Sequence, residues 1–181
     1  MLDYILIGMV LDEELTGYDI KKDIEYGIGN FYKVSYGNLY PTLKKLTEKG
    51  VLTMRHNAQG GREKIYYLAT EQGKEDFLKW LSSPLDSKSS LDNLMVKVFF
   101  YDALDADVCR ERLRECELYL QQALMTLKNA EREISELDDD KYYYSKSTMY
   151  FGIRSIMVSI DWVKHIMDRK SLTEFITEKG E

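Results

Sequence analysis

The residues with the clearest chemical potential lie between Lys33 and Lys64. Seven cations (Lys33, Lys44, Lys45, Lys49, Arg55, Arg62 and Lys64) stand there against two acids, Glu48 and Glu63. That local balance of +5 sits inside a 181-residue chain whose formal net charge is −6. A phosphate feels charge within about 10 Å at ordinary salt, so the local patch outweighs the total. Lys44, Lys45, Arg62 and Lys64 are suited to neutralising phosphates, while Ser35, Tyr36, Asn38 and Tyr40 carry polar groups that can meet base edges or phosphates. A plain solvated charged face is the alternative reading of the same window.

No second chemistry competes with this one. The two histidines, His56 and His165, fall in unrelated segments, and no Cys/His spacing fits a metal. Gly27-Ile28-Gly29 is a fragment of a phosphate-loop pattern that ends a helix instead of following a strand. The carboxylates lie on helical positions that read as solvated faces. The sequence therefore predicts no catalytic residues, no enzyme activity, no metal and no cofactor. Cys109 and Cys116 are seven apart on a helical stretch, about 10 Å along the axis, too far for a disulfide within one chain. They read as small apolar core residues, with contact between two copies as the minor alternative.

The elements that must position the basic window follow from periodicity. Leu2, Ile5, Leu6, Met9 and Val10 form one stripe of a first helix. Thr16, with Asp19 three residues on, is close to a capping box for a second helix that Gly27 and Gly29 end. A third helix carries Leu39, Leu43 and Leu46 inward and stops at Gly50. Its start is ambiguous: Ser35 as cap leaves Pro41 in the interior, whereas Asn38 as cap puts Pro41 in the first turn, where its missing N–H costs little. Tyr40 faces either the groove of a bound duplex or the core. Val51 to Arg55 and Lys64 to Ala69 read as two strands joined by a glycine-rich turn at Asn57–Gly61. A fourth helix from about Thr70 to Leu81 buries Phe77, Leu78 and Leu81, with Trp80.

Ser82-Ser83-Pro84 and Ser87–Ser90 mark the one convincing boundary. Beyond it the pattern is helical: a short apolar stretch, Leu91 to Tyr101, and then a seam at 109, 113, 116, 120, 123, 127, 130, 134 and 137 whose steps alternate four and three. That is the spacing of helix-to-helix packing. The seam serves either a partner chain or a helix of its own chain. Asp138-Asp139-Asp140 ends it, and a last helix runs from about Tyr142 to Arg169. The expected architecture is mainly α with a small β-hairpin: a winged helix-turn-helix over 1–83, a linker at 84–90 and a helical dimerisation domain over 91–181. The opening MLDYILIGMVL is short, carries Asp3 and lacks a basic flank, so it does not read as a signal peptide. No run approaches a membrane span, and the cytoplasm is the expected location.

Three blocks are similar to the PadR-type transcriptional regulators. They are Leu15–Ile20 (LTGYDI), Ser35–Leu46 with Glu48–Leu52, and Gly60–Leu68 with Thr70 and Gly73. They cover most of residues 1–83 in the family's order. The length and helical second half resemble the longer subgroup, which includes PadR and AphA-like activators. The resemblance implies a third helix that begins near Ser35 and bends at Pro41. It also implies homodimers that place two recognition helices in successive major grooves of a near-palindromic site. By similarity, the DNA-contacting set is Tyr18, Ser35, Tyr36, Asn38, Tyr40, Lys44, Lys45, Gly61, Arg62 and Lys64. The first helix and the C-terminal helices supply the dimer interface, with Leu2, Ile5, Leu6, Leu113, Leu120, Leu127, Ile134 and Trp162 as its candidates.

The expected function is therefore a regulator that binds double-stranded operator DNA as a homodimer, most simply a repressor. Its expected effector is a small aromatic or hydrophobic molecule, for which Tyr142, Tyr143, Tyr144, Tyr150, Phe151 and Trp162 are candidate lining; dimer core and surface tyrosines are the alternative for those residues. An activator of the same fold and a winged-helix protein-interaction module without DNA binding are the rival readings. The operator, the genes and the effector's identity are not encoded in any motif.

Overall fold

The apolar stripe of the N-terminus forms α1 (Leu2–Met9) in the computed structural model, which describes residues 1–57, 64–84 and 90–177. Ile5, Leu6 and Val10 are fully buried. The chain then enters β1 (Leu15–Thr16) and α2 (Gly17–Tyr26). The capping box is complete at α2: Asp19 N–H donates to the Thr16 hydroxyl at 3.2 Å, and Thr16 N–H donates to the Asp19 carboxylate at 3.4 Å. Two of the helix's orphan donors are thereby satisfied.

A 3-10 turn at Tyr36–Asn38 leads into α3 (Leu39–Glu48). The expected helix running through a bend at Pro41 is thus corrected. Only the tighter turn starts next to Ser35, and the α-helix begins after Asn38 with Pro41 in its first turn. The reason is local: proline has no N–H to give to the carbonyl of Gly37, so α-helix cannot run unbroken from the serine. Gly50 takes the left-handed conformation, φ 71°, that closes the helix.

β2 (Leu52–Asn57) and β3 (Lys64–Ala69) pair antiparallel from Leu52↔Ala69 to Asn57↔Lys64. β1 pairs on the far side of β3, giving the order β1-β3-β2. The expected turn at Asn57–Gly61 lies, apart from Asn57, outside the described residues. α4 (Glu71–Ser82) starts at Thr70, whose hydroxyl accepts from Gly73 N–H and donates to the carbonyls of Gly50 and Val51. Phe77 and Leu81 are buried as expected; Leu78 faces solvent instead, one position off the buried stripe.

The chain divides into two compact units, Met1–Asp105 and Ala106–Glu181. α5 (Leu91–Phe99) lies beyond the compositional boundary at Ser82–Ser90, yet it is part of the first unit. Phe100, which ends it, meets the core ring of Phe77 edge-on at 5.3 Å. Lys97, only 4 % exposed, donates through Nζ to the carbonyls of Trp80 (2.8 Å) and Ser83 (2.6 Å). A buried ammonium is tolerable there because the carbonyls at the end of α4 have no intrahelical N–H to accept from and carry the negative end of its dipole.

In the second unit, α6 (Ala106–Ser135) and α7 (Asp139–Met167) pack as an antiparallel pair. Lys164 reaches Glu117 at 3.6 Å, and Lys146 bonds to the carbonyl of Ser135. The heptad seam is covered in part: Leu113, Cys116 and Leu120 are buried, positions 123, 127, 130 and 134 are half-buried, and Leu137 is exposed. Asp138 caps α7 through Lys141 N–H, so the acidic triplet opens the next helix as much as it closes the last. α8 (Leu172–Thr177), which no pattern predicted, is tied back by His165, whose Nε2 meets the Ser171 carbonyl at 2.8 Å.

Candidate DNA-binding surface

The inward stripe Leu39, Leu43 and Leu46 fixes which side of α3 faces out. Tyr40, Pro41, Lys44, Lys45 and Glu48 are all exposed. Tyr18, at the start of α2, is 69 % exposed, and Ser35, Gly37 and Asn38 are exposed on the turn before α3. Among the described residues, the side chains of Ser35 and Asn38 make no hydrogen bond within the chain and cap no helix. Polar groups left open at the N-terminal end of such a helix are what base readout requires.

The cations are not equivalent. Lys44 projects outward, its side chain 79 % exposed, with only a loose ion pair to Glu48 at 3.8 Å. Lys45 turns towards α1 and holds Asp3 at 2.6 Å. Arg55 is bound to Glu14, with Nε 3.1 Å from both carboxylate oxygens, and lies over the ring of Tyr66. That hydrogen bond pulls the Glu14 carboxyl below its ordinary value. Arg55 therefore ties the β1 approach to the hairpin. Lys64 opens β3, exposed and opposite Asn57. Gly61 and Arg62 lie outside the described residues.

The aromatics divide in the same way. Tyr40 is 56 % exposed, with its ring edge against Gly17. It thus serves both sides, packing against the start of α2 while more than half of its surface stays open. Tyr36 leans back on α2: the Lys21 ammonium sits 5.2 Å from its ring centre, and burial raises the pKa of its hydroxyl, helped by Glu25. Tyr36, which sequence reasoning grouped with the base-reading residues, is half-buried, with its ring beside Lys21 of α2.

Ile5, Leu6, Leu113 and Leu120, named as dimer contacts, are buried in the single chain, whereas Leu2, Leu127, Ile134 and Trp162 are half-buried. On α7, Tyr144 (83 %) and Phe151 (74 %) are wide open, as are Tyr143, Tyr150 and Val158 to lesser degrees. A groove missed by the sequence reading lies on the first unit, bounded by Tyr4, Ile7, Leu46, Lys49, Lys79 and Trp80. Tyr4 and Trp80 stack at 4.5 Å and 5° on its wall. Their separation in sequence left no local signal. Among the described residues no cluster of His, Cys, Asp and Glu could hold a metal, and no helix is long and apolar enough to cross a membrane.

Three helices, a three-stranded sheet and an outward basic helix with a polar entrance are the makings of a winged helix-turn-helix DNA-binding regulator. Residues 6–79 match the transcriptional regulator PadR-like family, and residues 92–169 match the family described as virulence activator alpha C-term. The chain belongs to the PadR-like transcriptional regulators, in the form that carries a helical C-terminal half. It is 32% identical over 122 residues to the negative transcriptional regulator PadR of Bacillus subtilis, covering 64% of this chain and 66% of that one. Bacillus subtilis PadR in complex with operator DNA is 26% identical, over 93% of this chain and 98% of that chain, with a TM-score of 0.45. The same protein in complex with p-coumaric acid is 24% identical, over 93% and 97%, with a TM-score of 0.42. As a member of this family the chain is a DNA-binding transcriptional regulator, not an enzyme.

Proposed function

We propose that the chain is a repressor that binds a near-palindromic operator as a homodimer, with α3 in the major groove and the β2–β3 hairpin along the backbone. The observation that carries this reading is the set of exposed groups on one run of the first unit. Ser35 and Asn38 stand open at the entrance of α3, Tyr40 and Lys44 on its outer face, Tyr18 at the head of α2 and Lys64 at the loop end of the hairpin. Gly61 and Arg62 complete the set by similarity. The 32%-identical Bacillus subtilis relative is a negative regulator, which supports repression as the sign.

A homodimer needs an apolar face that the single chain does not bury. Tyr144, Phe151 and Val158 recur every seven residues on α7 and are exposed, which is the spacing of a stripe on one side of a helix. That face takes the role first assigned to Ile5, Leu6, Leu113 and Leu120, whose side chains are already used. Two copies joined there must set their α3 helices about 34–36 Å apart to read one side of a duplex. A small aromatic or hydrophobic effector that altered this spacing would release the DNA. The groove beside the Tyr4–Trp80 stack is the better seat for it, since the open aromatics of α7 are the dimer face.

Selection of bound sequences from a genomic DNA pool tests the reading, with the selected site titrated at several salt concentrations. A palindromic site and a steep salt dependence are expected. Absence of any enriched site from pure protein would turn the reading towards a winged-helix interaction module. Transcription from a promoter carrying the site then separates repressor from activator. Quenching of Trp80 fluorescence by aromatic compounds, retained in Trp162→Phe, tests the groove.

A further inference from the structure

The end of α2 and the entrance of α3 share a three-residue bracket. Gly27 caps α2, Ile28 is fully buried as a peg in the core, and Gly29 follows. Asn30 stiffens the bracket by donating its amide to the carbonyls of Tyr26 (2.8 Å) and Gly27 (3.2 Å). Gly27 is pressed from outside, since a Cβ there would lie 2.9 Å from the ring of Phe99. At Gly29 the tight neighbour is the Ile24 carbonyl, 2.9 Å from an added Cβ, and the Tyr36 hydroxyl stands in ordinary van der Waals contact at 3.5 Å. Phe99 is the last residue of α5, 72 positions along the chain from Gly27.

We infer that Phe99 is a positioning residue for DNA recognition: its ring buttresses the Gly27–Gly29 bracket, and the bracket holds Tyr36 and the Tyr36–Asn38 turn that presents Ser35 and Asn38. The inference rests on the DNA-binding reading of that turn. Phe99 sits 5.0 Å edge-on to Phe100, which is itself packed on Phe77, so its backing is the core of the first unit. Its ring is nevertheless 43 % exposed. A half-open ring against a glycine can be displaced more cheaply than a core residue, and displacing it removes one wall of the bracket. Phe99 also lies in the part of the chain that matches the C-terminal family, residues 92–169.

The test compares wild type, Phe99→Ala and Phe99→Leu in the full-length protein, on the selected site and on random-sequence DNA. Phe99→Ala is expected to weaken specific binding about tenfold while leaving non-specific binding unchanged, because the phosphate-contacting lysines are untouched. Phe99→Leu, which refills most of the space, is expected to restore it. In a double-mutant cycle the effects of Phe99→Ala and Tyr36→Phe on specific binding are expected to be non-additive. Ring resonances of Tyr36 in 13C-tyrosine protein, assigned by Tyr36→Phe, are expected to shift in Phe99→Ala with no DNA present. Unchanged Tyr36 resonances, or additive effects in the cycle, overturn the inference. If wild type binds no DNA specifically, the functional reading fails by itself, while the resonances still judge the contact.

Discussion

Tyr40 lays its ring against Gly17 so closely that a Cβ on the glycine would sit 2.6 Å from Tyr40 Cε1. Gly17 is the first residue of α2, and Tyr40 is on the outer face of α3. The pair thus sets how α3 meets α2. In Gly17→Ala the aromatic ring must move, and because it is half-open it can do so without repacking the core. Stability is expected to stay within about 1 kcal/mol of wild type, since volume changes that flexible side chains absorb cost little. Operator affinity is expected to fall several-fold, and urea titrations beside operator binding curves separate the two effects. A large loss of stability would show that Tyr40 is a core residue.

Lys44 and Lys45 are adjacent in sequence and differ in what they hold. Lys44→Ala is expected to reduce the slope of log affinity against log salt by about 0.9 for each phosphate left unneutralised. Lys45→Ala is expected to leave that slope in place, because its ammonium is engaged with Asp3. An exposed pair of that kind is worth about 0–1 kcal/mol of stability. Equal slopes for the two variants would contradict the assignment.

Most of the first unit was legible in sequence because its signals are local. The Thr16/Asp19 box, the Leu39/Leu43/Leu46 stripe and the Lys64–Ala69 strand each follow from spacing within a few residues. β1 was missed because two residues cannot show alternation; only its pairing with β3 defines it. The resemblance misplaced the start of α3, whereas proline chemistry by itself put Pro41 in the first turn. The candidate surface was legible by residue type but not by orientation. Asp3 engages Lys45 and Glu14 engages Arg55 of the basic window from far away in sequence, and the ring of Tyr36 lies beside Lys21 of α2. The seam of α6 was plain, but periodicity carries no information on which helix fills it. Its partner is α7 of the same chain.

Lys146 closes that helix pair. Its buried ammonium donates to the carbonyls of Ser135 (3.1 Å) and Leu137 (2.5 Å) and meets the Asp139 carboxylate at 2.5 Å. Lys146→Met keeps the apolar stem but leaves two carbonyls without their donor, a loss expected to cost about 1–3 kcal/mol. Asp139→Asn should cost much less, because that carboxylate is 83 % exposed and its attraction is screened. Urea unfolding of both variants checks the order. Equal costs would make the ion pair, not the helix-end capping, the source of the effect.

Cys116 offers a probe of the second unit that reads pH and access together. It lies in the α6–α7 seam at 2 % exposure, and burial pushes its thiol from the ordinary 9.0 up to about 11. The folded state therefore favours the neutral thiol. Below pH 9 both states keep the proton and the group adds no pH dependence. As pH rises above 9 the unfolded chain ionises first, and stability is lost until the folded thiol also titrates near 11. Cys116→Ala is expected to unfold at a lower urea concentration at neutral pH through the small cavity it leaves. It is also expected to lose less stability than wild type between about pH 9 and 11, the window between the unfolded and folded thiol values. Tyrosines titrate in the same range, and the difference between the two proteins cancels them. At pH 8, a thiol reagent should label Cys116 in native protein only as fast as the α6–α7 pair opens. Rapid labelling of Cys116 in the folded protein, or parallel pH curves for the two proteins, would place this residue outside the seam.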